Sequence, residues 1–454
     1  MRNIPRVVVA GTHSGVGKTT VASGLMAAFS AKGYRIAPFK VGPDFIDPSY
    51  HALATGRAGR NLDAFLSGAE LVAPLFTHGA RGSDVAVIEG VMGLFDGKSG
   101  GEELASTAHV AKLLDAPVLL VVDARAMARS AAAMVHGYAT FDPDVRVAGV
   151  ILNRVGSDTH ERMLREALSP LGVPVVGVLR RDASISTPDR HLGLVPAVER
   201  HGEARRSIDA LGARISGSCD LEGILRLAAT AGPLYAEPWS PDAPEPGPAV
   251  RVAVAAGPSF SFLYRENVEL LEGAGAKVVT FDPTNDEELP ERTDILYLGG
   301  GFPETYAEAL SANEPMRACV RDFAASGRPV VAECGGLMYL ARELDGRPMC
   351  GVLDVQARMT DRLTLGYREA RALSDSPLAE EGTMVRGHEF HYSVVEPGAG
   401  KSLAWALTGR DAEGFVVGGV HASYLHTHWA ATPELPRRLV RAARQAADRA
   451  EVRA

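Results

Sequence analysis

Short, nearly uninterrupted apolar runs alternate with stretches of helical spacing through the first half of this sequence. RVVVA (Arg6–Ala10), YRIAPF, DVAVIE, APVLLVV and VRVAGVIL are β-rich. Residues 18–31, ELASTAHVAKLLD and ARSAAAMVHGYA, lying between them, are helical in spacing. A strand without polar alternation is buried on both faces, and crossover helices covering a parallel sheet bury it that way. The expected class is therefore α/β, built on a parallel sheet. The alternation stops once, at residues 233–248, where six prolines fall in and around PWSPDAPEPGP. Such a stretch is neither helix nor central strand and reads as a semi-rigid linker. The pattern restarts with VRVAVAAG (Val250–Gly257) and runs through GAKVVTF, TDILYLGGG and RPVVAECGG to a final Arg/Ala-rich helix. Two domains are expected, 1–232 and 249–454, and 454 residues suffice for a core in each.

Composition narrows the function classes. Hydrophobic residues make up 46% and charged residues 22%, which excludes dominant disorder. No apolar run approaches the ~18–20 residues that span a bilayer, and the N-terminus has no signal-peptide pattern. Four cysteines are too few for a disulfide scaffold of this size, so free thiols in a reducing cytoplasm are expected. A net charge of -8 argues against nucleic acid as the main partner. Only seven of the 47 basic residues are Lys, and three of those (Lys18, Lys40, Lys98) fall in Gly/Pro/Asp-rich loops.

The first chemical signal is AGTHSGVGKTT, between the first strand and the first helix. Backbone N–H groups of Gly15, Val16 and Gly17, with a helix N-terminus behind them, suit phosphate oxygens. Lys18 supplies a point charge, Thr19 a hydroxyl for Mg²⁺, and Thr20 completes the ATP loop. The spacing departs from the strict phosphate-loop pattern, since Thr12 stands where the first glycine is expected. A tight strand-to-helix turn with an incidental GKT is the other reading. FKVGPDFIDP places Lys40, Asp44 and Asp47 at the end of the second strand, where open parallel sheets bind ligands. Glu89 ends another apolar strand, a usual place for a second Mg²⁺ contact. A turn carboxylate pair and a solvated strand-end Glu are the alternatives. Asn153 ends a further strand and either reads an adenine edge or initiates a turn.

The second signal is RPVVAECGGLMYL, a strand, a sharp turn at Cys334 and a helix. This is the layout of a nucleophile elbow, with the Gly335 N–H able to face an oxyanion and a helix N-terminus able to lower the thiol pKa. Gly300 and Gly301, in the loop of YLGGGFPET, are candidates for a second oxyanion N–H. Cys319 reads as core. A thiol nucleophile needs a base, and His426 in SYLHTHW is the first choice, His428 the second. His388 and His391 in GHEFHYS are one residue too close for a zinc HExxH and read as structural or substrate-facing.

These motifs together resemble the cobyrinic acid / hydrogenobyrinic acid a,c-diamide synthase family of corrin-ring biosynthesis. The resemblance rests on GTHSGVGKTT, FKVGPDFIDP, EGVMGLFDG, RHLGLVPA (Arg190–Ala197), LGGGFPE, AECGGLMYL, GHEFHYS and the ASYLH segment, in that order over nearly the whole chain. The first half is also similar to dethiobiotin synthetase, which shares the unusual loop spacing, and the second to class I glutamine amidotransferases. The resemblance implies ATP and Mg²⁺, a corrinoid substrate and L-glutamine. It implies that Cys334 and His426 release ammonia, which must travel unprotonated along a shielded path. An ATP-derived acyl phosphate on the corrinoid then accepts it. It places Asp44, Asp47 and Glu89 at the Mg²⁺ and reacting carboxylate, and Phe45 and Ile46 against the corrin. Lys40, with Arg154 behind it, is expected to form a local basic pocket for the polyanionic substrate. In amidotransferases of this class a Glu commonly follows the catalytic His by two residues; here that position is His428, so a Cys–His dyad is implied. An ATP-dependent carboxylase and a nucleotide-switch protein are the competing classes; the Cys334 elbow counts against the first, and FKVGPD with the whole second half against the second. A homodimer is the oligomeric expectation, on frequency alone.

Overall fold

The computed structural model describes residues 4–100, 103–181 and 201–453. The RHLGLVPA motif lies outside them. The chain divides into two compact units, Met1–Ser240 and Pro241–Ala454.

The first unit is built on a seven-stranded parallel sheet. Its strands are β1 (Arg6–Gly11), β2 (Ile36–Val41), β3 (Arg60–Leu62), β4 (Val85–Glu89), β5 (Val118–Asp123), β6 (Val147–Val155) and β7 (Val175–Arg180), in the order β3-β2-β4-β1-β5-β6-β7. β1 is buried along its whole length, as its uninterrupted apolar sequence requires. Helix α1 (Lys18–Ala31) packs on β1, β2 and β4 and carries the loop that follows β1. The register decides what surrounds that loop. Val9 pairs with Glu89, Glu89 with Lys40, and Lys40 with Asn61, so one row of residues crosses β1, β4, β2 and β3 near the carboxyl edge of the sheet. Two strands escaped the sequence reading: β3 has only three residues, and β7 lies beyond the last apolar run singled out above. ELASTAHVAKLLD is helical only over Thr107–Leu113, because Ser106 stops it as an N-cap whose Oγ accepts the His109 N–H at 3.0 Å.

The second unit holds two sheets. One runs β17-β18-β11-β10-β8-β9 from β8 (Val250–Ala255), β9 (Ala276–Phe281), β10 (Ile295–Leu298), β11 (Val330–Glu333), β17 (Phe415–Val417) and β18 (Val420–Ser423), parallel except for β17. The other runs β13-β12-β14-β15-β19, with β16 (Trp405–Leu407) also on β14. It comprises β12 (Glu343–Leu344), β13 (Arg347–Pro348), β14 (Gln356–Ala372), β15 (Met384–Glu396) and β19 (His426–Thr427). Leu296, Leu298, Val330, Ala332 and Leu337 lie in one buried cluster, and Cys334 is part of it.

The proline-rich stretch forms no regular element, and the division between units falls inside it. Its first part packs on the first unit: the Trp239 N–H donates to Pro74 O at 3.0 Å, and the indole meets His78 edge-on at 5.2 Å. Its second part is tied to the helix Glu434–Arg453, where Asp242 meets Arg437, Glu245 meets Arg441 at 2.9 Å and Pro248 O accepts from Arg444 at 3.1 Å. Among the described residues no helix is long and apolar enough to cross a membrane.

Candidate functional site

The loop after β1 takes the shape its glycines permit. Gly15 and Gly17 have φ of 80° and 99°, a left-handed backbone that side chains rarely adopt, and Gly17 caps α1. His13, Ser14 and Gly15 are exposed, while Val16 and Thr20 are buried. The Lys18 ammonium is held over the loop by the His13 carbonyl at 3.2 Å. Burial, with Lys40 nearby, lowers its pKa to about 8. Asn153 is 6% exposed, its Nδ2 donates to Val16 O at 2.8 Å, and its Oδ1 accepts the Arg154 N–H. The side chain therefore braces the loop.

Behind the loop, the register row becomes a charge cluster. Glu89 is fully buried; Oε1 accepts from Thr19 Oγ1 at 2.6 Å and from Lys40 Nζ at 2.9 Å, and Oε2 meets His51 Nε2 at 2.7 Å. Burial alone would raise its pKa, but the Lys40 charge and the hydrogen bonds from His51 and Thr19 hold it below the ordinary value. Lys40 also pairs with Asp47 Oδ2 at 2.6 Å. Its burial is outweighed by Asp47, Glu89 and Asp44, which raise it. Three carboxylates thus share one ammonium, and burial with the surplus negative charge of Asp44 and Glu89 drives Asp47 upward.

This corrects two expectations. Lys40 is 3% exposed and neutralised by acids, so the free basic pocket expected around it is not there. Ile46 is buried in the core at 8% exposure, leaving half-buried Phe45 as the accessible member of that pair. Asp44 acts partly as a turn carboxylate, its Oδ1 accepting the Ile46 and Asp47 N–H groups. His51 was missed. Helix α2 (Asp47–Thr55) sets it four residues after Asp47, on the same face, and that spacing was the available signal. Two guanidiniums, Arg125 and Arg154, converge on Asp123 at 2.8 and 2.7 Å at the ends of β5 and β6.

In the second unit, Cys334 has φ 49° and ψ −99°, a strained turn directly after β11. Its N–H donates to Ser423 O at 2.8 Å. The expectation that the following helix lowers the thiol pKa is overturned. Burial pushes the thiol up, and Glu304, Glu333 and Glu389 add to this, against one lowering hydrogen bond from the Gly335 N–H. The helix is only six residues long, Gly335–Leu340. His426 is also buried, and burial with His391 lowers its pKa to about 3. Both directions favour a neutral thiol and a neutral imidazole at rest.

The structure brings His426, Gly300, Gly301 and the Cys334 elbow together. A Cβ on Gly300 would fall 2.3 Å from His426 Cε1, and one on Gly335 would fall 3.0 Å from Gly301 N. Gly300 is corrected as an oxyanion donor, because its N–H is spent on Phe262 O at 3.2 Å; the Gly301 and Gly335 amides remain. Gly300 matters instead for its missing side chain. Gly300→Ala is expected to displace the imidazole and lower glutamine hydrolysis about 100-fold while sparing ammonia-driven chemistry; parallel assays with the two nitrogen sources check this. His428 lies 3.6 Å from Glu266, with its ring tilted against Tyr264 at 4.8 Å. Cys319 is half-buried in the helix Glu314–Ala325. A cavity of about 1070 Å³ opens in this unit, with Glu389, His391, Ser393, Arg410, Glu413 and Tyr424 among its lining residues. Arg368 meets Glu389 at 2.5 Å.

A nucleotide-shaped loop and a cysteine elbow in one chain agree with what sequence comparison finds. Residues 7–195 match the CobQ/CobB/MinD/ParA nucleotide binding domain, and residues 251–434 match the CobB/CobQ-like glutamine amidotransferase domain. The hydrogenobyrinate a,c-diamide synthase of Streptomyces coelicolor is 59% identical, covering 96% of this chain and 97% of that one. The chain belongs to the a,c-diamide synthase family. The Thermobifida fusca protein named hydrogenobyrinate a,c-diamide synthase is 50% identical over 97% of each chain. The Syntrophotalea carbinolica protein named cobyrinate a,c-diamide synthase is 45% identical, covering 96% of this chain and 98% of that one. A member of this family is a glutamine-dependent amide ligase with a nucleotide-binding domain.

Proposed function

We propose that this diamide synthase amidates the a- and c-acetate carboxylates of hydrogenobyrinic acid, in two rounds, using ATP and L-glutamine. A carboxylate is a poor electrophile at neutral pH. Attack of its oxygen on the ATP γ-phosphorus releases ADP and leaves an acyl phosphate. Ammonia then displaces phosphate and the amide forms. Lys18 and the amides of Gly15, Val16 and Gly17 position the phosphates, and Thr19 and Glu89 carry oxygen donors to the same place. These suit Mg²⁺, a hard ion that takes oxygen ligands. The surplus negative charge around Asp47 supports that assignment. Among the described residues no cluster of three or more His, Cys, Asp or Glu side chains could hold a metal by itself, so the nucleotide's own phosphates would complete the shell. When bound, the ion supplies charge neutralisation at the transferred phosphoryl group. Arg125, whose side chain is 55% exposed, is better placed than the buried Lys40 to attract the corrinoid carboxylates.

In the second unit, Cys334 gives its proton to His426 as its sulfur attacks the glutamine side-chain amide. The Gly301 and Gly335 N–H groups face the oxyanion, His426 protonates the leaving ammonia, and water clears the thioester. The amino-acid end of glutamine fits the cavity, with Glu389 for the ammonium and Arg410 for the carboxylate.

The metal-free corrinoid is supported by the order of identity: relatives named for hydrogenobyrinate reach 59% and 50%, those named for cobyrinate 45% and 46%. Cobyrinic acid is the second reading. Side-by-side turnover of the two corrinoids, with products weighed by mass spectrometry, tests it. The metal-free acid should show kcat/KM at least about tenfold higher. The reverse order moves the substrate to the cobalt form, and turnover of neither overturns the proposal.

A further inference from the structure

His426 lacks the acid that usually follows two residues later, yet it is tightly held. On one side the β15–β19 register pairs it with His388, and the two rings stack at 4.9 Å and 14°. His388 Nε2 is in turn anchored at 2.9 Å by Tyr264 Oη. On the other side, the missing side chain of Gly300 leaves room for the ring. The Nδ1 atom of the ring lies 4.0 Å from Glu333 Oε2.

Glu333 is the last residue of β11, directly before the nucleophile, and only 6% exposed. Its carboxylate is aimed by several donors. Oε1 accepts the Thr427 hydroxyl at 2.8 Å and the Thr427 N–H at 3.3 Å; Oε2 accepts the Tyr297 hydroxyl at 3.2 Å. Thr427 is itself fixed, since its carbonyl accepts from Asn267 at 2.9 Å and its hydroxyl accepts from Trp429 Nε1 at 2.8 Å. The acid and the strand carrying the imidazole are thus locked to one another through the residue next to His426.

We infer that Glu333 is the positioning acid for His426, supplied from the strand before the nucleophile in place of the acid absent after the histidine. With Nδ1 turned toward Glu333, Nε2 is the ring nitrogen we assign to take the Cys334 proton. Burial pushes Glu333 up to about 7, and an imidazolium forming 4.0 Å away favours its carboxylate form. Glu333 exchanges no proton and touches no substrate; it sets ring orientation and tautomer. The inference rests on the reading of Cys334 and His426 as the glutaminase pair.

The test compares Glu333→Gln and Glu333→Asp in the full chain, with glutamine hydrolysis and ammonia-driven amidation measured separately. Gln keeps shape and hydrogen bonding but loses charge, so a purely structural role would survive it. We expect kcat for glutamine to fall about 30–100-fold with KM within about twofold and ammonia-driven turnover unchanged. Asp keeps the charge but draws it back by one methylene, so a loss of several-fold, smaller than for Gln, is expected. An unchanged kcat in Glu333→Gln overturns the inference, as does a loss carried by KM instead of kcat. Should Glu333→Gln not fold, Glu333→Asp decides, and wild-type kcat there overturns it. Cys334→Ala separates the two levels: if that variant still hydrolyses glutamine, the glutaminase reading itself fails.

Discussion

Cys334→Ala should lose glutamine-driven amidation by at least about 1000-fold while retaining ammonia-driven amidation at high ammonium concentration. The thiol sits on a strained elbow beside His426 and the Gly301 and Gly335 amides, and the chain offers no comparable arrangement for its other three cysteines. Because burial holds the thiol neutral at rest, the nucleophile is made only when the proton moves to His426. Free ammonia bypasses that step, since the phosphate loop and its acid cluster belong to the other unit. Steady-state assays with each nitrogen source give the result directly. Persisting glutamine use in the mutant would show that another group is the nucleophile.

Lys18→Ala should have the complementary effect and remove amidation from both nitrogen sources, by about 100–1000-fold or more. Activation of the carboxylate precedes any use of ammonia, so the nitrogen source is irrelevant to this defect. Lys18 also carries a pH signature. Its pKa is depressed from 10.5 to about 8 by burial and by Lys40. Above that pH the free protein holds Lys18 neutral, and ATP binding must draw in a proton. Apparent ATP affinity should therefore decline as pH rises through about 8, by up to about tenfold per unit. Stability runs the other way. Between about 8 and 10.5 the unfolded chain binds the extra proton, so the penalty of burying this charge is relieved as pH rises through that window. Calorimetric titration with ATP and thermal melts across the window read both slopes. Normal ammonia-dependent turnover in Lys18→Ala would defeat the phosphate-loop assignment.

Much of this was written locally. A buried parallel strand, a glycine loop and a helix start fall within twenty residues of the N-terminus, and RPVVAECGG spells a strand and a sharp turn in nine. Turn chemistry and apolar patterning act over such short distances, so loop, elbow and α/β class could be read from spacing. The partners could not. His51 reaches Glu89 across 38 positions, Lys40 reaches it across 49, and Thr427 reaches Glu333 across 94. Lys40 meets Glu89 through sheet register, His51 reaches it from a packed helix, and Thr427 reaches Glu333 from a different sheet; no local pattern encodes any of the three.

What the sequence determined by itself is the kind of chemistry: a phosphate loop on the first half, a cysteine elbow on the second, and the motif order that marks the family. What tertiary structure alone decided is the state of the groups. Lys40 became a buried counter-ion instead of an open cation, and Asn153 a brace for the loop. Gly300 became a space for an imidazole, and Cys334 a protonated thiol despite its helix. Each reversal has one physical cause. Burial and the neighbours it brings set charge, hydrogen bonding and room, and burial is a property of the folded whole that no single stretch of residues carries.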